Sequence, residues 1–435
     1  METVTSYVLA NGLQMFDPMP IKDTLLTPWH REHGATFGEF GQYRMPLWYP
    51  AGPVKEHRTV ITAAGLFDTS HMAEILIEGP NAYELLQRTL TKDLRRCIGK
   101  NHPIEPGRAT YGFLLNTDGH VLDDAIVMME DTDRFLLVVN AGMGSTITRH
   151  LLTQGDDLDV TVTDFTDRLC KLDLQGPASA RILAKILAPS KKLKPPFPYF
   201  SFVGHYDHLQ RGVRTLRDAP VMISRTGYTG EFGFELFIRP SDFTALWTDL
   251  IEAGSPEGLL PCGLGARDSL RAGAGLPLSH QDIGDWPCIH HPWPFALPWR
   301  GDNNFTKSFL GDEALLQSRS SAPHTFAFLG ENGRKVAPGA EVLLNDTPIG
   351  TVLTCVTDMA IDLVDTQVRS LASPDAPPDF NPRGLACGFV KVTRPLQTGQ
   401  TLTLKDKRRE LPVRIVQDIR PHRTARMPWP DVFQG

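Results

Sequence analysis

Residues 224–235 read SRTGYTGEFGFE, a run in which three glycines are interleaved with an aromatic ring and two carboxylates. Glycine permits positive φ angles and lets a backbone approach a ligand closely. The residues that follow the last glycine are typical of a strand, in which neighbouring side chains point to opposite faces. If Phe234 enters the core, Glu235 therefore faces a cleft. The alternative interpretation is a tight surface turn with solvated acids.

The segments around this run predict a mixture of strands and helices. An Asn-Thr-Asp-Gly turn at 116–119 predicts a hairpin, and the order of elements around it indicates an α+β chain rather than a doubly wound sheet. The prolines within 277–301 predict an irregular crossover, and the segment from about residue 320 predicts a small β-barrel or sandwich. The predicted strands cover 73–78, 111–115, 121–129, 134–140, 221–225 and 234–238, and the predicted helices cover 83–94, 145–152, 178–187, 241–253 and 264–272.

The composition excludes several classes of protein. The 435 residues include 44 Lys and Arg against 50 Asp and Glu, which gives a formal net charge of −6. Such a mildly acidic chain is a poor candidate for a general nucleic-acid or anionic-membrane binder. We expect no membrane-spanning helix and no signal peptide, because neither a long apolar run nor a basic start with a cleavage site occurs. The six cysteines form no C-x-x-C pair, so we expect reduced thiols in a cytoplasm.

General catalytic and metal-binding motifs are missing from the sequence. It contains no P-loop, no G-x-G-x-x-G after a strand, no H-E-x-x-H and no G-x-S-x-G. Close histidine pairs occur at 30 and 33, at 205 and 208, and at 290 and 291. No cysteine or carboxylate joins these pairs at ligand spacing, so surface or structural roles are favoured over a metal site.

Six motifs resemble, in their order along the chain, those of the aminomethyltransferase family, the T-protein of glycine cleavage and its relatives. The resemblance implies an α+β, three-domain cloverleaf with ferredoxin-like α/β domains, a small C-terminal β-barrel and tetrahydrofolate in a central channel. It implies a discontinuous folate-binding domain over 1–57 and 165–290, a second α+β domain over 58–164 and the barrel over 300–435. The motifs are FDTSHM at 67–72, YGFLL at 111–115 with DG and VLDD at 118–124, NAG at 140–142, LQGP at 174–177, the run at 224–235, and GARDSLR at 265–271.

The resemblance assigns Glu235 and Arg267 to folate binding. A reduced pterin presents a ring N–H beside an exocyclic amine, and one carboxylate can accept both hydrogen bonds. Glu235 matches the family position with that task. Arg267 matches a folate-site arginine whose partner the sequence leaves open, and a helix salt bridge with Asp268 or Glu235 is the alternative.

Three further residues are candidates for contact with folate. Tyr111 and Tyr228 could pack against its pterin or benzoyl ring, although a tyrosine in a strand is more often part of the core. Asn140 follows an apolar strand and could donate a hydrogen bond to the pterin.

The resemblance makes Asp124 the catalytic candidate. Asp123 and Asp124 are adjacent in a predicted strand, so we expect only one of them to line the channel. A carboxylate near the acceptor nitrogens can orient the folate, stabilise developing positive charge or assist proton removal. The alternative for Asp124 is a solvated acid after a turn.

The sequence departs from the family in segments expected to face the donor or a partner protein. Gln42 stands where the family has a glycine, and Ser279-His280 replaces a Tyr-Gly pair. Pro294 occupies the position of a family acid, and an arginine-containing segment, 420–426, replaces a C-terminal aromatic pair. The segments that bind folate keep the family pattern, so these departures bring glycine cleavage itself into question.

We therefore expect an enzyme that moves a methyl or aminomethyl group from a small donor to tetrahydrofolate, in the manner of a divergent demethylase. One alternative is a T-protein that takes an aminomethyl group from a lipoyl carrier protein. Another is a folate-binding accessory protein without transferase activity. A small aromatic or cationic donor would find a pocket in the crossover, lined by Trp286, Trp293 and Trp299.

Overall fold

The computed structural model describes residues 20–428, except 100, 191–192, 194–196, 208–211 and 302. Within these residues the chain forms three large sheets, and all strands of the second sheet lie in the sequence between the strands Ala64–Asp68 and Cys170–Gln175 of the first. The predicted α+β class and the C-terminal barrel are confirmed. None of the described helices combines the length and the apolar character needed to cross a membrane.

The first sheet has an apolar and a polar face. Phe234, Leu236 and Leu172 point into a core with two helices, whereas Lys171 and Glu235 alternate with them on the opposite face. This alternation follows from the two-residue period of a strand. In order, the six strands are Phe202–Gly204, Met222–Ser224, Gly233–Ile238, Cys170–Gln175, Ala64–Asp68 and Leu259–Pro261. The helices Ser179–Ile186 and Pro240–Gly254 cover the apolar face, and Pro53–Thr62 and Leu264–Gly273 pack beside the strand Ala64–Asp68.

The second sheet has five strands and carries the predicted hairpin. Its helices Ala82–Thr89 and Gly144–Gln154 bury one face of the sheet in a core of aliphatic side chains. The first helix ends at Thr89, earlier than predicted, although Leu90 and Leu94 enter the same core from the following loop. The apolar spacing that continues to Leu94 therefore reflects burial of Leu90 and Leu94 in the core and not a longer helix. In order, the strands are Arg108–Leu115, Val121–Asp131, Arg134–Val139, Ala73–Glu78 and Thr161–Asp164.

The third sheet closes into a six-stranded antiparallel barrel. Its interior is filled by aliphatic side chains such as Val342, Val390 and Leu404. The proline-containing crossover is partly buried, because Trp293 packs with Phe113 of the second sheet and Phe389 of the barrel, whereas Pro294 is exposed. In order, the strands are His324–Gly330, Leu385–Val392, Thr347–Asp358, Glu341–Leu344, Thr401–Lys405 and Glu410–Val416.

Smaller elements connect these units. The N-terminal part that the structure describes is more regular than its weak periodicity suggests. It forms the helix Thr27–Glu32 and a three-stranded sheet of Lys22–Asp23, Tyr43–Trp48 and Thr36–Phe40. The remaining elements are the helix Asp312–Gln317 and the strand pairs Trp299–Arg300 with Asn304–Phe305 and Ile361–Val364 with Gln367–Ser370.

The change from the first to the second sheet falls between Asp68 and Ala73. The strand Ala64–Asp68 pairs with Cys170–Gln175, and the second sheet begins only at Ala73. This pairing joins segments about a hundred residues apart, so no local pattern in the sequence indicates it.

Candidate active site

Two adjacent carboxylates, Asp123 and Asp124, form a largely buried acid pair on the strand Val121–Asp131, with Asp123 fully and Asp124 partly buried. Asn140 Nδ2 donates to both of them, to Asp123 Oδ1 at 2.7 Å and to Asp124 Oδ1 at 2.6 Å. The backbone N–H of Asn140 and the Ser279 hydroxyl also donate to Asp123, at 3.0 and 2.8 Å. Tyr111 OH donates to Asp124 Oδ2 at 2.6 Å. Along this strand Asp123 is fully buried and Asp124 keeps partial exposure, so the alternation of the strand is kept, although Asn140 Nδ2 reaches both carboxylates. The register with the strand Arg108–Leu115 shifts just before Asp123, where Leu115 pairs with Val121.

The acid pair lacks a compensating Lys or Arg among the described residues, where its one charge-pair contact is His280 Nε2, 3.7 Å from Asp123 Oδ1. Burial, followed by repulsion from Asp124, raises the pKa of Asp123 to about 7. Burial also raises the pKa of Asp124, although Tyr111 and Asn140 oppose that effect by donating hydrogen bonds. Two carboxylates so close cannot both ionise easily. The acid pair can therefore hold or release a proton near neutral pH.

A second buried group of charges lies on the polar face of the first sheet, and we refer to Lys171, Asp173, Glu235 and Arg267 as the four-charge cluster. Lys171 Nζ lies 2.5 Å from Asp173 Oδ1 and 2.5 Å from Glu235 Oε1. Arg267 Nη1 donates to Asp173 Oδ2 at 2.6 Å. Burial alone would raise the pKa of Asp173, but the Lys171 and Arg267 charges hold it at about 2. Asp173 is therefore ionised at any ordinary pH.

The partner of Arg267 is a residue that the sequence analysis did not consider. Its guanidinium pairs with Asp173, while Asp268 pairs with Arg271 at 2.7 Å. The same guanidinium lies 5.0 Å from the centre of the Tyr228 ring, a cation–π arrangement. A single N–H of Arg267 is engaged by Asp173, which leaves other donors of the planar group for a ligand.

The Gly-rich run places Glu235 as the alternation predicts. Phe234 is fully buried in the apolar core, and Glu235 points to the other face, where Thr226 Oγ1 donates to its Oε2. Gly227 is required here because a Cβ would come within 2.2 Å of Gln175 Oε1. Tyr228 OH donates to the carbonyl of Pro277 and so joins the run to the crossover. The run is therefore a built wall of the site rather than a solvated surface turn.

Buried polar atoms without partners lie next to the four-charge cluster. Within the described residues, His71 Nδ1 and both carboxyl oxygens of Glu74 have no hydrogen-bond partner. Burial lowers the pKa of His71 to about 4 and raises the pKa of Glu74 well above its ordinary value. Each oxygen of Glu235 also retains a lone pair beyond its contact with Lys171 or Thr226. Such unsatisfied groups fit a polar ring ligand with several N–H and C=O groups, as a pterin has.

Sequence reasoning missed Lys171, Asp173 and Ser279. The strand CKLDLQ at 170–175 gave a usable signal, because polar side chains alternate there with leucines in a segment that is entirely buried. Buried Lys and Asp require partners, so this alternation could have predicted an ion-pair cluster. Ser279 offered no such signal.

The histidine pairs have structural partners. His30 Nε2 contacts Asp68 Oδ2 at 2.9 Å, and His290 Nε2 contacts the Arg319 carbonyl at 2.7 Å. His208 lies outside the described residues. In the part of the chain that the structure describes, no three His, Cys, Asp or Glu residues are grouped as metal ligands.

The expected tryptophan pocket does not form as one unit. Trp293 is buried and donates to the Gly275 carbonyl at 2.7 Å, and Lys391 covers Trp286 at 4.0 Å from the ring centre. Trp299 lines a cleft of about 480 Å³ together with Arg319 and His290. The basic lining of this cleft does not suit a cationic donor.

Two departures from the family pattern share one backbone feature. Gln42 and His280 both have left-handed φ angles, +70° and +63°. The Cβ atom makes these φ angles sterically unfavourable for residues other than glycine, whereas glycine adopts them at little cost. The backbone conformation therefore explains why the family has glycine at these two positions. This chain has left-handed φ angles there although its residues are Gln42 and His280.

Comparisons with known proteins agree with this architecture. Residues 26–287 match the family model of the GCVT N-terminal domain. The aminomethyltransferase of Halothermothrix orenii is 38% identical over 301 residues, which are 68% of this chain and 76% of that protein. The aminomethyltransferase of Corynebacterium aurimucosum is 33% identical over 337 residues, or 76% of this chain and 85% of that protein.

A comparison of structures extends the similarity to this family over nearly the whole chain. The crystal structure of the glycine cleavage system aminomethyltransferase T from Bartonella henselae superposes with a TM-score of 0.72 at 26% identity, covering 94% of this chain and all of that chain. The chain therefore belongs to the aminomethyltransferase family, and it is an enzyme of the tetrahydrofolate-dependent type.

Proposed function

We propose that this enzyme takes a methyl group from a small methylated donor, with the four-charge cluster holding tetrahydrofolate and the acid pair serving the transfer. The observation that carries the proposal is the acid pair, Asp123 and Asp124, buried with no Lys or Arg partner among the described residues. Its raised pKa suits an exchange of protons near neutral pH.

In this proposal Glu235 and Arg267 bind the folate. The free lone pairs of Glu235 accept the adjacent N–H groups of the pterin, and the contact with Lys171 fixes the position of that carboxylate. Arg267 is fixed by Asp173 and offers its remaining N–H groups. The Tyr228 ring lies beside this guanidinium and supplies an apolar wall.

The acid pair acts at the reacting nitrogen. Bound tetrahydrofolate supplies a nucleophilic ring nitrogen that accepts the one-carbon unit. Asp124 takes up the proton released there, while Tyr111 and Asn140 hold its two oxygens in fixed directions. Asp123 is anchored by Asn140 and Ser279 and shares the charge of the pair.

The crossover supports a small methylated donor over an ammonium-bearing aminomethyl arm. Pro294 stands in place of a family acid, and the neighbouring acids do not replace it. Asp282 is buried in a pair with Arg271, and the exposed Asp285 contacts His120 at 2.8 Å. A docking surface that loses an acid attracts a cation less strongly.

A specific observation favours the alternative, an aminomethyl transfer in glycine cleavage. The structural likeness to the aminomethyltransferase T of Bartonella henselae covers nearly all of this chain. A donor screen with tetrahydrofolate separates the two, with O-, S- and N-methyl compounds in one arm and an aminomethyl-loaded lipoyl carrier protein in the other. Formation of methyl-tetrahydrofolate in the first arm is expected. Robust turnover in the second arm alone would refute the donor proposal.

Calorimetry tests the folate site without any donor. Glu235→Ala should weaken tetrahydrofolate binding by about 1.5–3 kcal/mol, as expected for charge-assisted hydrogen bonds. Glu257→Ala is a matched control, because Glu257 also pairs with a lysine, Lys185, but lies on the surface. Unchanged affinity in the Glu235 variant would remove this residue from the site, and absence of binding in the unaltered enzyme would overturn the folate assignment.

A further inference from the structure

His280 combines a strained backbone with a position at the acid pair. Its φ of +63° lies in the left-handed region. Its imidazole is half exposed, and Nε2 lies 3.7 Å from Asp123 Oδ1. Non-glycine residues held in this region cluster at functional sites, where the surrounding structure maintains them. This backbone therefore presents a titratable ring to both the acid pair and solvent.

Buried contacts on both sides hold His280 in place. The preceding Ser279 donates to Asp123 Oδ1 at 2.8 Å. On the other side, Asp282 accepts from the Leu278 N–H at 2.9 Å and forms a buried pair with Arg271. The turn is thus tied to the acid pair at one end and to the helix Leu264–Gly273 at the other. The strain is sustained by these contacts.

The acids of the strand Val121–Asp131 are the charges that face His280. Asp123 is in contact range, and the charge of Asp124 raises the pKa of His280, while packing lowers it and has the larger effect. From the neighbouring strand, Tyr111 donates its hydroxyl to Asp124. On its own segment, Asp282 is neutralised by Arg271. Lys391 comes near this segment through its contact with the Trp286 ring.

We propose that His280 is a positioning residue that relays protons between the acid pair and solvent. The proposal rests on the proposed function, since the transfer must release a proton inside a buried site. The acceptor nitrogen forms a bond to carbon, the donor atom leaves with the electron pair of the broken bond, and the nitrogen's proton passes to Asp124. Asn140 Nδ2 donates to both Asp124 and Asp123 and so holds the two acids side by side. In the relay the proton passes from Asp124 to Asp123, and His280 Nε2 takes it from Asp123 and gives it to water. A 3.7 Å gap is closed by one bridging water or a small ring movement.

An NMR titration tests the coupling without any turnover. The His280 ring signals, assigned by their loss in His280→Asn, should titrate with a lower pKa in Asp124→Asn than in the unaltered enzyme, because the raising charge is gone. Asparagine tolerates left-handed backbone, so the assignment variant keeps the turn. The signals of His422, which also has a left-handed φ of +59°, serve as the reference. An identical His280 titration in both proteins would overturn the proposal, and Asp123→Asn repeats the test if Asp124→Asn misfolds.

Chemical rescue tests the relay itself. His280→Gly should reduce turnover at low buffer concentration by roughly tenfold, a modest part of the range for proton-transfer groups. Added imidazole should restore the rate in this variant and leave the unaltered enzyme unchanged. His422→Gly is the control, because it also removes an exposed histidine from a left-handed position. A lowered rate that imidazole does not restore, or no loss at all, would overturn the relay. Absence of transfer in the unaltered enzyme would instead refute the proposed function and leave the titration result standing.

Discussion

The four-charge cluster and the acid pair are both buried, but they solve the problem of buried charge in opposite ways. In the cluster, Asp173 contacts Lys171 and Arg267, and its pKa is held at about 2. In the acid pair, hydrogen-bond donors replace cations, and the pKa of Asp123 rises to about 7. Charges that are permanently compensated suit binding and orientation, whereas an uncompensated pair suits proton exchange. The difference fits the parts proposed for the two regions, folate binding for the cluster and proton exchange for the acid pair.

The largest effect is expected from a substitution that removes one charge of the acid pair. Asp124→Asn keeps the shape of the side chain and removes its charge, so turnover with the donor found in the screen should fall by about 10²–10⁴-fold. Single-turnover rates measure the loss, and tetrahydrofolate affinity should change little. Asp123→Asn is the matched variant and should lose less, since Asp124 is the acid proposed to take the proton at the reacting nitrogen, whereas Asp123 is fully buried and held by Ser279. An equal loss in both variants would show that the pair acts as one group.

The next largest effect is expected from a substitution that removes the shared cation of the four-charge cluster. Lys171→Met leaves Asp173 and Glu235 without their shared cation, and removal of one partner from a buried pair costs about 3–5 kcal/mol of folding stability. Urea unfolding measures this loss. Lys185→Met, on a surface lysine that pairs with Glu257, should change stability by about 1 kcal/mol or less. Similar small changes in both variants would mean that Lys171 is not essential to the cluster.

The pH dependence of the free energy of unfolding sharpens the comparison. The contribution of the acid pair decreases as the pH rises, whereas the contribution of Asp173 decreases as the pH falls. The folded acid pair keeps a proton that the unfolded chain releases above pH 3.8, so its contribution decreases as the pH rises towards about 7. Asp173, with its pKa lowered to about 2, contributes stability that is lost only as the pH falls from 3.8 through 2. Between pH 5 and 7, the stability of the unaltered protein relative to Asp123→Asn should fall by up to about 1.4 kcal/mol per pH unit.

Unfolding curves at several pH values check this sign. Asp379→Asn, a change on an exposed loop, should give a constant difference over the same range. A stability difference between the unaltered protein and Asp123→Asn that stays constant from pH 5 to 7 would mean that the pair is already ionised in this range, like Asp173.

The smallest effect concerns the backbone beside the acid pair. Gln42 has a left-handed φ of +70° next to the loop at 140–142. Gln42→Gly should stabilise the protein by about 0.5–1 kcal/mol, because release of the strained φ outweighs the added freedom of the unfolded chain. Asn345→Gly, at a φ of +49°, should gain less, since asparagine tolerates this region. Thermal unfolding compares the two, and a loss of stability in Gln42→Gly would show that its side chain has a structural role.

Local patterns in the sequence predicted the site in part. Alternation along the strand predicted that Phe234 and Glu235 would face opposite sides, and they do. The burial of Asp123 and the partial exposure of Asp124 follow the same alternation. Local alternation does not contain their shared partner, Asn140, which follows the neighbouring strand Arg134–Val139 and donates to both acids.

What the sequence determined by itself is the class of the fold and the composition of its motifs. Hydrophobic period, glycine positions and turn residues act over a few neighbours, and they are readable wherever those neighbours are adjacent in the chain. Only the tertiary structure decided which charges meet. Asp173 and Arg267 pair across 94 residues, and Ser279 reaches Asp123 across 156. Electrostatic energy depends on distance and burial in space, so the partner of a buried charge is fixed only when the sheets have assembled.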